Sequence, residues 1–279
     1  MYQKVQLQVE EEGGMDFSQM QEKYQIDPDS QIERQPVALS YGEHFYGQQR
    51  YPIPFGSYGD FSCLVGASKS MKTFLKSALL ASYIGGKSNH YFDGFKGHDT
   101  QEKFVLDIDT EQSEFHVQRA SKRVIQMVGD RYPFYKPYAL REASPNERFQ
   151  FIDWLVNESM YTGKIGLMAI DGAADLMNDV NDLKESNRIA EAFMTWTTKA
   201  QCHLITVLHR NFGSNKPTGH LGSAILKKAE TVAFVERAKD ENHTVVTPEY
   251  TRNYPFQEFS FLLNEEYLPK KIEVGYFGR

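Results

Sequence analysis

Apolar residues recur along this chain in two rhythms, and the alternation between them predicts its architecture. Continuous apolar runs mark buried strands at Phe61–Val65, Phe104–Asp109, Ile165–Asp171 and His203–Leu208. Helical spacing lies between them. Phe74, Leu75, Ala78, Leu79 and Ala81 supply the buried face of a helix from Lys72 to Ile84, and Phe115, Val124, Ile125 and Val128 mark a second helical stretch. Ser144-Pro145-Asn146-Glu147 reads as a capping box with proline at the first helical position, opening a helix that carries Phe149, Ile152, Leu155 and Val156. Another helix is expected from Glu185 to Ala200, with Ile189, Phe193 and Trp196 on one side, and a short one from Ser223 to Glu230. Strands alternating with helices imply an α/β fold with a mainly parallel sheet covered on both faces.

The ends of the chain follow other patterns. The first forty or so residues are polar, interrupted by Gly13-Gly14, with one short amphipathic helix expected between Met15 and Gln25. From Pro36 to Gly59 the abundance of Tyr, Gly and Pro predicts turns and short irregular strands. Beyond residue 230, segments at 231–236, 243–247, 257–263 and 272–276 alternate with turn residues, so antiparallel strands are expected at the C-terminal end. The division that follows is a flexible extension over 1–40 and one α/β domain over 41–279.

Composition narrows the classes. With 279 residues, 41% hydrophobic and 24% charged, the chain suits a packed core and neither a disordered nor a collagen-like protein. No apolar run approaches the length of a membrane span, and the beginning is acidic at Glu10, Glu11 and Glu12, so a cytoplasmic protein without a membrane partner is expected. Cys63 and Cys202 lie in apolar runs and form no CxxC pair, which predicts buried thiols. Thirty-one basic against 37 acidic residues, a net charge of −6, argue against coating nucleic acid by bulk charge; any such contact must come from local loops.

The candidate chemistry begins where the first buried strand ends. Gly66-Ala67-Ser68-Lys69-Ser70-Met71-Lys72-Thr73 matches the phosphate-loop pattern GxxxxGK[ST] at every defined position but one, Met71 standing in place of the second glycine. In such a loop, backbone N–H groups and the helix N-terminus cradle phosphates, the lysine neutralises their charge and the hydroxyl binds magnesium. A side chain at position 71 can crowd the backbone approach to phosphate, and Lys69 either adds compensating charge or is an ordinary solvated lysine. The later strands end in Asp109-Thr110-Glu111-Gln112, Asp171-Gly172 and His209-Arg210-Asn211, at the carboxyl edge where open α/β sheets bind ligands. A carboxylate there can hold magnesium or activate water, and His209 can hydrogen-bond a phosphate; singly, Asp171 is equally a helix cap or turn former.

The ordered segments GASKSMKT, FVLDIDTEQ, LMAIDGAADL, LITVLHRN and GHLGSAILKKAETVAFVE resemble the RecA-like P-loop ATPases, especially the branch of RepA-type and DnaB-type hexameric helicases. The likeness runs from about residue 56 to 263 and implies a RecA-like core that uses ATP and Mg2+. By that resemblance Lys72 and Thr73 belong to the phosphate loop, Glu111 is the catalytic glutamate, Asp171 the Walker B aspartate, and His209 the polar residue of the fourth strand. TRNYPFQEFSFLL is similar to the stretch whose arginine reaches a neighbour's γ-phosphate, which implies such a role for Arg252, with Tyr250 where the family has a nearby lysine. The loop from Arg210 to His220 offers Arg210, Lys216 and Phe212 either to single- or double-stranded DNA in the channel of a homo-oligomeric, hexameric ring, or simply as a surface loop. The expectation is a DNA-acting ATPase of helicase type with replication or mobilisation partners. The alternatives are a nucleotide-dependent scaffold with little hydrolysis, or a small-molecule kinase, which would lack an arginine-rich lid.

Overall fold

The computed structural model describes residues 17–210, 219–238 and 243–273. The chain divides into two units, residues 1–34 and 35–279. In the first, α1 (Phe17–Tyr24) buries none of its residues, and Asp27-Pro28-Asp29-Ser30 forms a turn in which Asp27 accepts from the Asp29 and Ser30 amides. This unit holds eight of the 37 acidic and three of the 31 basic residues, so five of the six net negative charges lie in it and the larger unit is nearly neutral.

The second unit opens with β1 (Val37–Tyr46) and β2 (Gln49–Ser57), then β3 (Phe61–Gly66), α2 (Lys72–Ile84), β4 (Phe95–Gly97), β5 (Phe104–Asp109) and α3 (Glu114–Val128). It continues with β6 (Tyr135–Ala139), α4 (Pro145–Asn157), β7 (Ile165–Asp171), α5 (Leu183–Ala200) and β8 (His203–His209). The last elements are α6 (Gly219–Lys228), β9 (Thr231–Arg237), β10 (Thr244–Thr251), β11 (Phe259–Leu263) and β12 (Pro269–Ile272).

Among the described residues the main sheet has the order β12-β11-β10-β9-β3-β8-β7-β5-β6. Strands β9, β3, β8, β7, β5 and β6 run parallel to one another, and β10, β11 and β12 follow β9 as successive antiparallel strands, as the sequence pattern predicts. The continuous apolar runs are explained by burial on both faces: Leu64, Leu167, Ala169, Ile205 and Val207 enter the core beneath α2 and α3, while Cys63, Val65, Met168, Ile170, Leu204 and Leu208 enter the one beneath α4, α5 and α6. Both cysteines are buried and free. The capping box at Ser144 is formed reciprocally, Glu147 N donating to Ser144 Oγ while Ser144 N donates to Glu147 Oε2 at 2.7 Å.

The segment from Pro36 to Gly59 departs from expectation. It is a long antiparallel hairpin with register shifts in its pairing, β1 with β2, extended by β4 into a three-stranded sheet. Pro52 and Pro54 are tolerated because β2 is the edge strand, where a missing N–H breaks no ladder, and register shifts absorb the irregular pattern. Two strands escaped the pattern: β4 is three residues long, and β6, at the far edge, buries only Tyr135 of its five residues. The last strand ends at Ile272, and residues 274–276 of the expected segment lie outside the described residues.

Candidate active site

Strand register assembles the site. Gly66 at the end of β3 pairs with His209 at the end of β8, and Asp109 at the end of β5 pairs with Asp171 at the end of β7, so these ends meet on one edge of the sheet. The loop after Gly66 then opens α2, whose first-turn N–H groups have no partner within the helix and could meet an anion at that edge. Gly66 admits no larger residue, since a Cβ there would stand 2.3 Å from the Val235 carbonyl oxygen of β9. Ser70 Oγ, which faces this loop, is buried with no hydrogen-bond partner among the described residues, a vacancy in its bonding that a phosphate oxygen would fill.

Met71 does not distort the loop in the way its side chain suggests. It caps α2 with φ 72° and ψ 19°, the left-handed conformation that glycine adopts freely, and its side chain packs against the core on the α2 side of the sheet. The backbone therefore takes a glycine-like path at a strain of about 1 kcal/mol. Met71→Gly is expected to leave nucleotide affinity within about threefold and unfolding free energy within about 1 kcal/mol, because relief of strain is offset by lost packing and a freer unfolded chain. Nucleotide titration and urea denaturation would check both.

Lys72 donates from Nζ to the carbonyl oxygens of Gly66 at 2.9 Å and Ala67 at 2.7 Å and lies 3.4 Å from His209 Nδ1. Burial pushes its pKa down to about 8, against the pull of Asp171 and Glu111. Thr73 Oγ1 donates to Asp171 Oδ2 at 2.9 Å. A hydroxyl joined to a carboxylate is a hard oxygen donor set that suits Mg2+. Glu111 Oε2 is 3.6 Å from His209 Nε2, and the neighbouring His209 imidazole holds its carboxyl below the usual range. Asp109 accepts from the Glu111 and Gln112 amides and from Gln112 Nε2, which fixes the turn that presents Glu111. The sequence-predicted Lys72, Thr73, Glu111, Asp171 and His209 thus converge.

Several neighbours were not anticipated. Lys76, one turn after Lys72, is buried and reaches Asp107 Oδ1 at 2.9 Å and Asp171 Oδ2 at 3.4 Å. Although burial opposes its charge, the Asp107 and Asp171 carboxylates hold its ammonium well above the ordinary lysine range. Tyr135 Oη donates to Asp107 Oδ2 at 2.7 Å, and Thr110 Oγ1 ties Asp175 to the β7 end. The signal was present: a lysine within an apolar helix and an aspartate inside FVLDID are charges with nowhere to go but to each other. A cleft of about 560 Å³ joins the loop to the α3 side chains His116, Arg119 and Arg123 and to Arg237 at the end of β9. Arg123 stacks on Phe74 at 3.8 Å.

Other candidates lie elsewhere. Arg252 sits at the amino end of β3, away from the cleft, donating to Asp60 Oδ2 at 3.2 Å and to the Lys228 carbonyl at 2.6 Å. Arg210 pairs with Glu236, and its amide donates to the Gly66 carbonyl. Phe212 and Lys216 lie outside the described residues. No described helix is long and apolar enough to cross a membrane.

A family model described as an AAA domain matches residues 52–214, more than half of the chain. No curated protein matches it by sequence. Among solved structures, the RadB recombinase superposes with a TM-score of 0.52 over 79% of this chain and 93% of that one, at 14% identity, a likeness of fold.

Proposed function

We infer, since this chain belongs to the AAA domain family and is a RecA-like P-loop ATPase, that it hydrolyses MgATP in the Lys72 cleft and couples the reaction to DNA. The observation that carries the reading is the meeting of Lys72, Thr73, Glu111, Asp171 and His209 at one sheet edge beside a helix N-terminus. Lys72 exchanges its loop carbonyls for phosphate oxygens, and the loop amides and Ser70 complete the cradle. Thr73 and Asp171 would hold Mg2+, which would supply positive charge to neutralise the phosphates. Glu111, ionised at neutral pH, takes the proton of the attacking water, while His209 bridges it to Lys72 and reports the γ-phosphate to the strand that leads into the Arg210 loop.

DNA is read as the partner from the resemblance, from the RadB likeness and from charge. Five of the six net negative charges belong to residues 1–34, so the ATPase unit itself offers little repulsion to a polyanion. Repeated in a ring, Arg210, Phe212 and Lys216 would meet backbone phosphates and bases. Arg252, away from its own cleft and half exposed, would serve a second copy once it leaves Asp60.

Steady-state ATP hydrolysis with and without single-stranded DNA tests this reading. Turnover should rise at least severalfold with DNA, and Arg252→Ala should abolish that rise. Mixing Arg252→Ala protein with Lys72→Ala protein should restore part of the DNA-dependent rise, because an intact Lys72 site then borrows an intact Arg252. Nucleotide binding with negligible turnover on every nucleic acid would replace the motor with a nucleotide-dependent scaffold.

A further inference from the structure

Lys76 stands out because the reaction outlined above does not use it. It occupies the fifth position of α2, the helix that begins with the phosphate-loop lysine, and its side chain is 1% exposed. It lies between carboxylates of adjacent strands, 2.9 Å from Asp107 Oδ1 on β5 and 3.4 Å from Asp171 Oδ2 on β7, with Asp109 close enough to add to the same field. Asp171 Oδ2 accepts from Thr73 at the same time, so one oxygen is engaged by two residues of α2. Asp107 is pinned on its other side by Tyr135. An ammonium so fully removed from water is retained only where paired charge compensates its lost hydration.

Electrostatics suggest what the pairing does. The nucleotide brings several negative charges to a loop backed by three aspartates, Asp107, Asp109 and Asp171, and before a divalent ion arrives Lys72 and Lys76 are the lysines whose charge is set directly against those carboxylates. Lys72 serves the phosphates directly. Lys76, behind Asp171, serves the carboxylates.

We propose that Lys76 is a positioning residue that acts through Asp107 and Asp171, a built-in counter-ion to both that makes nucleotide affinity less dependent on Mg2+. The proposal rests on the reading of the Lys72 cleft as a nucleotide site. It predicts an effect confined to one condition: loss of Lys76 weakens nucleotide binding without Mg2+, where two carboxylates then face the phosphates uncompensated, and changes it little when Mg2+ supplies the missing positive charge.

The test is equilibrium titration of ATP by calorimetry, in excess EDTA and in saturating Mg2+, on the full chain. For Lys76→Met the expected result is about a tenfold weaker affinity in EDTA with less than about a threefold change in Mg2+. Asp107→Asn, which removes a negative charge and leaves Lys76 to Asp171 alone, should do the reverse and tighten binding in EDTA, an outcome that structural damage would not produce. Lys76→Met/Asp107→Asn should return the ratio of the two affinities toward wild type. Equal losses in both conditions for Lys76→Met, or no tightening in Asp107→Asn, would overturn the proposal; should Lys76→Met fail to fold by circular dichroism, Asp107→Asn and the double variant decide alone. Wild-type protein that binds ATP in neither condition would instead refute the nucleotide site.

Discussion

Replacing Lys72 with alanine is expected to lower ATP turnover about a thousandfold, the scale for removing one preorganised charge donor from a reacting phosphate. The fold should survive. Lys72 is held near a pKa of about 8 because burial disfavours its charge, against an ordinary value of 10.5, so the folded apoprotein binds its proton less tightly than the unfolded chain does. The sign follows from that. Stability that Lys72 contributes is present above pH 10.5 and is lost as pH falls through about 8, so at neutral pH the buried ammonium is a burden on the apoprotein. Lys72→Ala should therefore keep or raise the thermal midpoint at pH 7 while removing activity, a combination that separates chemistry from folding. Wild-type ATP affinity should have the opposite pH profile. The cation that phosphates require is present below about pH 8 and disappears above it, so binding by calorimetry should weaken from pH 7.5 to pH 9. A flat profile, or a Lys72→Ala protein with wild-type turnover, would remove Lys72 from the site.

Glu111→Gln should lower turnover by about a thousandfold while leaving ATP binding nearly intact. Its side chain stands at the mouth of the cleft, 61% exposed, and holds no part of the loop, so the substitution keeps shape and deletes a base. The neighbouring Asp109 cannot replace it, because it is buried and both its oxygens already accept hydrogen bonds from the Glu111–Gln112 turn. Single-turnover hydrolysis, with binding measured in parallel, checks the prediction. Unchanged hydrolysis would mean that the attacking water is activated elsewhere, and a parallel loss of binding would make Glu111 a ligand rather than a base.

Much of the site is legible in the sequence because its residues sit at sequence landmarks. Glu111, Asp171 and His209 stand at the ends of buried apolar runs, where a polar residue has few physical explanations, and Lys72 and Thr73 close a loop that follows another such run and opens a helix. The same holds for the helix opened by Ser144, whose cap is local chemistry, and for helix α2, whose interior periodicity is unbroken. The hairpin of β1 and β2 was less legible. Glycines and prolines mark both turns and bulged edge strands, and only pairing with β4 and packing of Ile53 and Phe55 into the core distinguish the two. Arg252 could be named but not located, because its distance from the Lys72 cleft depends on β10 running back antiparallel to β9.

By itself the sequence determined the alternation of strand and helix, the phosphate-loop lysine and threonine and the strand-end carboxylates, since these are set by burial periodicity and local backbone geometry. Tertiary structure alone decided that Gly66 lies beside His209 and Asp109 beside Asp171, that Met71 adopts a left-handed backbone, and that Lys76 closes a buried triad with Asp107 and Asp171. Strand order and register are long-range choices made by competition among pairings for one core, and the partner of a buried charge exists only after that choice is made.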